Sequence, residues 1–239
     1  MNENKPETFC QIESFSQATQ NVVQYGFGTR VLSDDLSKWS QALAVEPQKL
    51  VYLKQIHSNR VVVVDDQFDL KAVHEADALV TNRTDVVLAV KSADCLPVLL
   101  FDPVKKVVAA VHAGWRGLAQ QVVIETVEVM NHRFGVDVRD LHVAFGPCLQ
   151  VTRFEVGDDV IEAFRQALGH YFSYESLESG KWLIDMPCTA AMGLEQLGLH
   201  AKNFYFAEQD TFTMPEVFHS YRRDAKNAGR QLNFIRLVS

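Results

Sequence analysis

The segment spanning residues 88–117 places the strongest constraint on the fold of this 239-residue chain. Two apolar runs, at residues 97–101 and 107–111, flank the sequence Asp-Pro-Val-Lys-Lys, whose residue types favour a tight turn. We therefore expect an antiparallel pair of strands. Cys95 precedes the first strand and His112 follows the second, so this pairing would bring both side chains to the same end of the sheet.

A third side chain of the same chemical kind, His57, lies in a polar interruption between two apolar runs within residues 49–65. Side chains often project from strand ends at such interruptions. Two imidazoles and a thiolate suit zinc, and three protein ligands leave a fourth position for water or substrate. The spacing matches neither Cys-x-x-Cys nor His-Glu-x-x-His, so an ordinary structural role for each side chain stays open as the alternative.

Length and composition predict one domain, residues 1–239, because a hydrophobic content of 47% supports a sizeable core. The weak periodicity of residues 1–20 predicts an edge strand or a loosely held arm there. A net charge of −7 argues against general binding to nucleic acid or to a membrane surface. The polar N-terminus lacks signal-peptide features, and no later run has the length of a membrane span. Four scattered cysteines favour free thiols, and we expect a cytoplasmic protein.

The rest of the chain predicts an alternation of short strands and helices. Residues 33–44 predict a helix with Ser33 as its N-cap, and residues 118–134 predict a longer helix that Gly135 ends. We expect further strands at 22–30, twice within 49–65, and at 86–90, 141–145 and 203–207, helices at 158–168 and 187–197, and a surface turn before a final core strand at 218–239.

Seven short blocks carry a specific similarity: KQIHS, SADCLPVLLFDP and AAVHAGWRG, together with EADALVTN, AFGPC, FEVGDDV and FHSYRRD. They resemble the YfiH family, also called the laccase-domain or multicopper polyphenol oxidase family, over residues 22–230. The resemblance implies an α+β fold, a single-domain α-β-β-α sandwich with mixed sheets between helices. It also implies that His57, Cys95 and His112 match the zinc ligands of the family.

The resemblance further implies purine nucleoside chemistry, namely phosphorolysis of adenosine, inosine and methylthioadenosine, and deamination of adenosine. Zinc on His57, Cys95 and His112 would activate water or orient phosphate, so these are the expected catalytic residues. Other relatives suggest a hydrolase that edits peptidoglycan precursors by cleaving an amide of a muramoyl nucleotide. A non-catalytic zinc-binding protein and a Cys95 nucleophile without metal are further alternatives.

Copper and phenol oxidation form another alternative, since two histidines and a cysteine also suit copper. We favour zinc, because a multicopper oxidase needs histidine-rich clusters and the six remaining histidines form no His-x-His pair.

Phosphorolysis requires positive charge around phosphate, and Arg116 is the first candidate because it lies at the start of the helix predicted before Gly135. Arg30 is the second candidate, although the loop that follows it is shorter than in relatives. Ser92 and Asp94, beside Cys95, are candidates for binding substrate or orienting a ligand. The alternative roles are a solvated or salt-bridged Arg116 and a purely structural loop at Ser92 and Asp94.

Overall fold

The computed structural model of the chain describes residues 7–20 and 22–238. The strands are β1 (Phe9–Cys10), β2 (Val23–Gly28), β3 (Leu50–Tyr52), β4 (Val61–Val63), β5 (Ala78–Thr81), β6 (Val87–Ser92), β7 (Leu96–Asp102), β8 (Val107–Ala113), β9 (His142–Phe145), β10 (Glu155–Val156), β11 (Tyr174–Ser176), β12 (Trp182–Ile184), β13 (Phe204–Phe206) and β14 (Gln231–Leu237). The α-helices are α1 (Glu13–Thr19), α2 (Leu36–Ala42), α3 (Trp115–Ala119), α4 (Val122–Phe134), α5 (Asp158–Leu168), α6 (Met186–Gln196) and α7 (Tyr221–Asp224). Single turns of 3-10 helix lie at Pro47–Lys49, Val138–Asp140, Val151–Arg153, Ala201–Asn203 and Ala225–Asn227.

The strands form two large mixed sheets. One has the order β13-β9-β7-β8-β5-β4, the other has the order β1-β2-β14-β6-β3, and a small sheet has the order β10-β12-β11. Most neighbours in the large sheets are antiparallel, but β13 with β9, β4 with β5, and β3 with β6 are parallel pairs. The final strand, β14, lies inside the second sheet between β2 and β6, so the C-terminal segment is part of the core.

Three apolar layers hold the sheets and helices together. Phe27 and Leu88 of one large sheet pack with Leu99 and Phe101 of the other, which places a dry layer between the two sheets. Side chains of α4, α5 and α6 cover the outer face of the first sheet, while Trp39 of α2 packs on the outer face of the second. This arrangement confirms the α+β, α-β-β-α sandwich that the resemblance implied.

The helix predicted at residues 118–134 is wrong in its start and its continuity. Helix α3 begins earlier, after Gly114, and Gln121 then adopts a left-handed conformation with φ of 63° before α4 starts. The apolar spacing continues through the break because both helices bury side chains against the same sheet. Gly135 ends α4 in the left-handed conformation, as predicted.

Ser33 is not the cap of α2. Its φ of 51° is left-handed, and its hydroxyl lies 3.1 Å from Nε2 of His219 instead. Asp35 is the N-cap, because its carboxylate accepts hydrogen bonds from the backbone N–H groups of Ser37 and Lys38.

The described part of the N-terminal segment packs against the two large sheets. Residues 9–10 form the predicted edge strand beside β2, and helix α1 follows it. Phe15 of α1 is fully buried in the layer between the sheets. Residues 1–6 of the predicted arm lie outside the described residues.

The cysteines and the helices of the described residues bear on two expectations from the sequence. The cysteines at 10, 95, 148 and 188 are free thiols, as their scattered positions predicted. Within residues 7–20 and 22–238, every helix is too short or too polar to traverse a lipid bilayer.

The layer between the sheets is expected to contribute a large share of stability. Phe101→Ala should lower the free energy of unfolding by about 3–5 kcal/mol, because it deletes a ring that is 1% exposed. Val104→Ala in the adjacent turn is the control, since Val104 is 63% exposed and its truncation should change stability by less than about 0.5 kcal/mol. Urea unfolding followed by circular dichroism measures both, and equal effects would contradict this assignment of the core.

Candidate metal centre

The hairpin of β7 and β8 brings Cys95 and His112 together. Pro97 is paired with His112 and Leu96 with Ala113, so the residue before β7 and the end of β8 share one end of the sheet. This confirms the pairing predicted from the turn sequence. His57 reaches the same place from the loop between β3 and β4, and the three potential ligand atoms all lie within 4.8 Å of one another.

No other group of three or more His, Cys, Asp or Glu side chains within the described ranges is close enough to hold a metal ion. His112 is buried, Cys95 is partly exposed and His57 is exposed. The cluster is therefore closed on the side of the sheet and open on the side of His57, where a ligand can approach. A buried imidazole, a thiolate and an open side are features of catalytic zinc sites.

A buried carboxylate, Asp77, connects the two elements that carry the histidines. It lies immediately before β5, and its oxygens accept hydrogen bonds from the backbone N–H groups of His57 at 3.0 Å and Ser58 at 2.6 Å. The Ser58 hydroxyl donates to it at 2.7 Å, and Nδ1 of His112 lies 2.9 Å away. These contacts fix the His57 loop against β8.

The contact with Asp77 also fixes the tautomer of His112. A carboxylate accepts hydrogen bonds, so Nδ1 of His112 carries the proton and Nε2 is the nitrogen directed to the cluster. Burial raises the pKa of Asp77, but hydrogen bonds from His112 and Ser58 outweigh burial and hold that pKa at about 2. Asp77 therefore stays ionised at neutral pH.

The environment of Cys95 favours the thiolate. Burial raises the pKa of its thiol, whereas the positive charge of His112 and hydrogen bonds from His112 and His57 lower it to about 6. Burial lowers the pKa of His112, but Cys95 and Asp77 raise it to about 9. A thiolate is the form that binds metal, and a metal ion would displace a proton from His112 as it binds.

Two glycines allow the backbone to approach this cluster closely. A Cβ atom on Gly114 would lie 2.7 Å from Cδ2 of His57 and 3.2 Å from Sγ of Cys95. A Cβ atom on Gly117 would lie 2.8 Å from the carbonyl oxygen of Ser58, so α3 packs directly on the His57 loop. His57 itself has a left-handed φ of 58°, which the hydrogen bonds to Asp77 support.

The cluster lies in the wall of a cavity of about 730 Å³. This volume is within the range of small-molecule sites. Apart from the three candidate ligands, the cavity is lined by Leu53, Gln55, Lys91, Ser92, Ala93, Asp94, Trp115, Arg116, Leu149, Phe154, Tyr221, Arg222 and Arg230.

The two predicted arginines have different positions. Arg116 lines the cavity, and its guanidinium packs over the ring of Trp115 at 4.2 Å from the ring centroid. Arg30 is not among the cavity residues, and its guanidinium donates to the carbonyl of Pro215. The structure therefore brings Arg116 to the cluster and leaves Arg30 outside it.

Ser92 and Asp94 line the cavity, but both take part in internal hydrogen bonds. The Ser92 hydroxyl accepts a hydrogen bond from Nδ2 of Asn233 at 3.0 Å. Asp94 accepts from the hydroxyl of Thr211 and from the backbone N–H of Arg222, each at 2.6 Å. We interpret these residues as supports of the Cys95 loop, which was the alternative role in the sequence analysis.

Three residues of the site were not predicted from the sequence, namely Asp77, Arg222 and Arg230. Asp77 lies within the block EADALVTN, and its signal was an acidic residue directly before a short, mostly apolar strand. Arg222 and Arg230 were assigned to a surface turn, whereas the structure places both at the cavity. Their neighbour Arg223 has a structural role, since its guanidinium donates to the carbonyls of Thr211 and Phe218.

Known proteins resemble this chain over most of its length. The model of the multi-copper polyphenol oxidoreductase laccase family matches residues 29–238. A purine nucleoside phosphorylase of Haemophilus influenzae is 37% identical over 206 residues, which cover 83% of this chain and 80% of that protein. Adenosine deaminase RL5, from an unknown prokaryotic organism, is 35% identical over 218 residues, covering 86% of this chain and 81% of that protein.

The fold is also shared with a solved structure. The crystal structure of the hypothetical protein YfiH of Bacillus licheniformis matches with a TM-score of 0.84 over 97% of each chain. Because the two sequences are 22% identical, this likeness supports the fold and not the activity.

Asp77→Asn is expected to weaken zinc binding by about 10- to 100-fold, because the orientation of His112 and the His57 loop both depend on that carboxylate. Competition with a chromogenic chelator measures the affinity. Asp102→Asn is the matched control, since Asp102 is an equally buried carboxylate at the opposite end of β7. Equal losses in the two variants would contradict the positioning role of Asp77.

Gly114→Ala is expected to lower zinc affinity by at least about 10-fold, equivalent to about 1.4 kcal/mol, because the added methyl group displaces His57 and Cys95. Gly193→Ala provides the control, since its methyl group would meet the flexible tip of Ile124 at 3.1 Å, outside the cavity. The same chelator assay applies. Unchanged affinity in Gly114→Ala would show that the ligands do not need this close approach.

Proposed function

The chain belongs to the multi-copper polyphenol oxidoreductase laccase family, and from that premise we propose that it is a zinc-dependent enzyme acting on purine nucleosides. The proposed reactions are phosphorolysis of adenosine, inosine and methylthioadenosine, and hydrolytic deamination of adenosine. The names of two relatives, a purine nucleoside phosphorylase and an adenosine deaminase, support this substrate class. The observation that carries the proposal is the gathering of His57, Cys95 and His112 in the wall of one large cavity.

The donor set fits zinc. The ligands would be His57, Cys95 and His112, and the glycine at position 114 leaves room for their side chains to converge. Zinc, when bound, supplies Lewis-acid activation of water or of a substrate oxygen. Copper is less well supported, since a multicopper oxidase needs several ligand clusters and the described residues provide one.

The two proposed reactions place the same demand on the protein. Phosphorolysis transfers the ribosyl group from a base nitrogen to phosphate, while deamination replaces an amino group of the ring with oxygen from water. Each reaction needs a nucleophile held beside an electrophilic carbon in a site of limited water access. The cavity offers one open side next to His57 and one buried side next to His112, which suits both reactions.

The residues around the cluster have separate roles in this proposal. Asp77 keeps the proton on Nδ1 of His112, so that Nε2 is the nitrogen that would release its proton and bind the metal. Arg116 provides positive charge for phosphate, and Ser92 and Asp94 hold the loop that presents Cys95. Arg30 has no part in the proposed site, because it lies outside the cavity.

The proposal is tested with adenosine and zinc-quantified protein, with and without phosphate. The wild type should release adenine when phosphate is present and form inosine without it, and chromatography separates these products. Cys95→Ala should lose both activities to background together with its zinc, because it removes one of three ligands. Cys188→Ala is the matched control, since Cys188 is a partly exposed free thiol outside the cavity.

Other outcomes of these assays would support a different function. Zinc-loaded wild type that forms neither product contradicts the proposal for adenosine, and amide cleavage of a muramoyl nucleotide would then identify an editing hydrolase. Phenol oxidation that depends on added copper would favour an oxidase. Activity that survives chelation but not alkylation of Cys95 would identify a cysteine nucleophile.

A further inference from the structure

Positive charge lines the cavity, although the whole chain carries a net charge of −7. Lys91, Arg116, Arg222 and Arg230 all contribute to the lining, and Asp94 is the carboxylate among the lining residues. Both oxygens of Asp94 already accept hydrogen bonds, from Thr211 and from a backbone N–H. The cavity therefore favours an anionic group.

The arginines of the cavity are not paired with acidic side chains. Lys91 lies 3.7 Å from a carboxylate oxygen of Asp34, but Arg116, Arg222 and Arg230 form no salt bridge with any residue in the described ranges. Other arginines of the chain do, including Arg83, whose guanidinium donates to Asp85 at 2.9 Å. Guanidinium groups without a protein counter-ion are available to a ligand.

Arg222 is held close to Cys95 by its own backbone. Its N–H donates to the carboxylate of Asp94, the residue directly before Cys95, at 2.6 Å. Its guanidinium donates from one nitrogen to the carbonyl of Glu155 at 3.0 Å and lies 5.9 Å from the centre of the Phe154 ring. These contacts set the direction of the side chain, and within the described residues the other guanidinium nitrogens have no partner.

Arg230 lies directly before the last strand, next to the end of β6. The next residue, Gln231, is paired with Ser92 in the ladder between β14 and β6. The Arg230 guanidinium donates from one nitrogen to the carbonyls of Ala228 at 2.9 Å and Gly229 at 2.8 Å. It lies 5.8 Å from the centre of the Tyr221 ring, so both arginines are braced by backbone carbonyls and by an aromatic ring.

We propose that Arg222 and Arg230 form a binding subsite for a phosphate-type oxyanion beside the metal centre. Guanidinium groups match such oxyanions because two N–H groups can bond two oxygens at once. The hydrogen bond of Arg222 to Asp94, and the pairing of Gln231 with Ser92, place both arginines beside the loop that carries Cys95. The subsite rests on the proposed function in one respect: phosphorolysis uses phosphate as its second substrate.

Two kinds of ligand carry the phosphate-type oxyanion that this subsite would bind. The oxyanion is either free inorganic phosphate or the phosphate group of a nucleotide, and the arginines would bind both through the same N–H groups. Binding measurements without turnover separate these sources, and they also separate the subsite from the proposed reaction.

The test compares zinc-loaded wild type, Arg222→Gln and Arg230→Gln by isothermal titration calorimetry with inorganic phosphate, with inosine 5′-monophosphate and with inosine, each titrated alone so that no proposed reaction takes place. Each substitution should weaken phosphate or nucleotide binding by about 10-fold or more, since it removes charge-assisted hydrogen bonds. Lys226→Gln is the matched control, because Lys226 is an exposed cation of the same segment outside the cavity. It should leave binding unchanged, and circular dichroism and zinc content monitor the fold of every variant.

Arginine-dependent binding of inorganic phosphate identifies the free ion as the ligand. Arginine-dependent preference for the nucleotide over inosine, without binding of inorganic phosphate, identifies a phosphate ester. The inference is overturned when the wild type binds neither, or when the arginine variants bind as the wild type does. Arginine-dependent binding in a protein without phosphorolysis would uphold the subsite and contradict only the proposed function.

Discussion

The candidate site depends on the hydrogen bonds of the Asp77 carboxylate. It is completely buried, and it joins the loop of His57 to the strand of His112 through hydrogen bonds from both. A buried charge is stable only when such bonds replace its hydration. The donors of the loop therefore compensate the charge, while the charge holds His57 in a left-handed conformation that it would otherwise leave. The fold and the site are connected through one side chain.

The position of β14 explains how the end of the chain comes to line the cavity. Because this strand lies between β2 and β6, residues just before it must pass the end of β6, where Ser92 is located. The Cys95 loop follows β6 directly, and Asp94 then binds the backbone of Arg222. The cavity is therefore formed by segments far apart in sequence that two sheet ladders bring to one edge.

The parts of this arrangement that could be predicted are those that depend on local sequence. The turn between residues 102 and 106 determines the hairpin, and the hairpin determines that Cys95 and His112 meet. Asp77 could not be recognised in the same way, since an acidic residue before a strand usually faces solvent and its partners lie 20 and 35 residues away. The contact between Asp94 and Arg222 joins residues 128 positions apart. The local sequence of the basic segment therefore predicted only a surface turn and not its position at the cavity.

The backbone at His57 favours a metal centre over a cysteine nucleophile with a single base. A Cys-His pair would need only His112, which already adjoins Cys95 and is oriented by Asp77. The second imidazole would then only add a hydrogen bond to the thiolate, yet it is held at a φ of 58°, a conformation that costs a non-glycine residue about 1–3 kcal/mol. Gly114 also supports a shared metal ion, because its missing side chain leaves the space in which His57 and Cys95 converge. Strain and close approach at the third side chain of the cluster are explained when the three side chains share one ion.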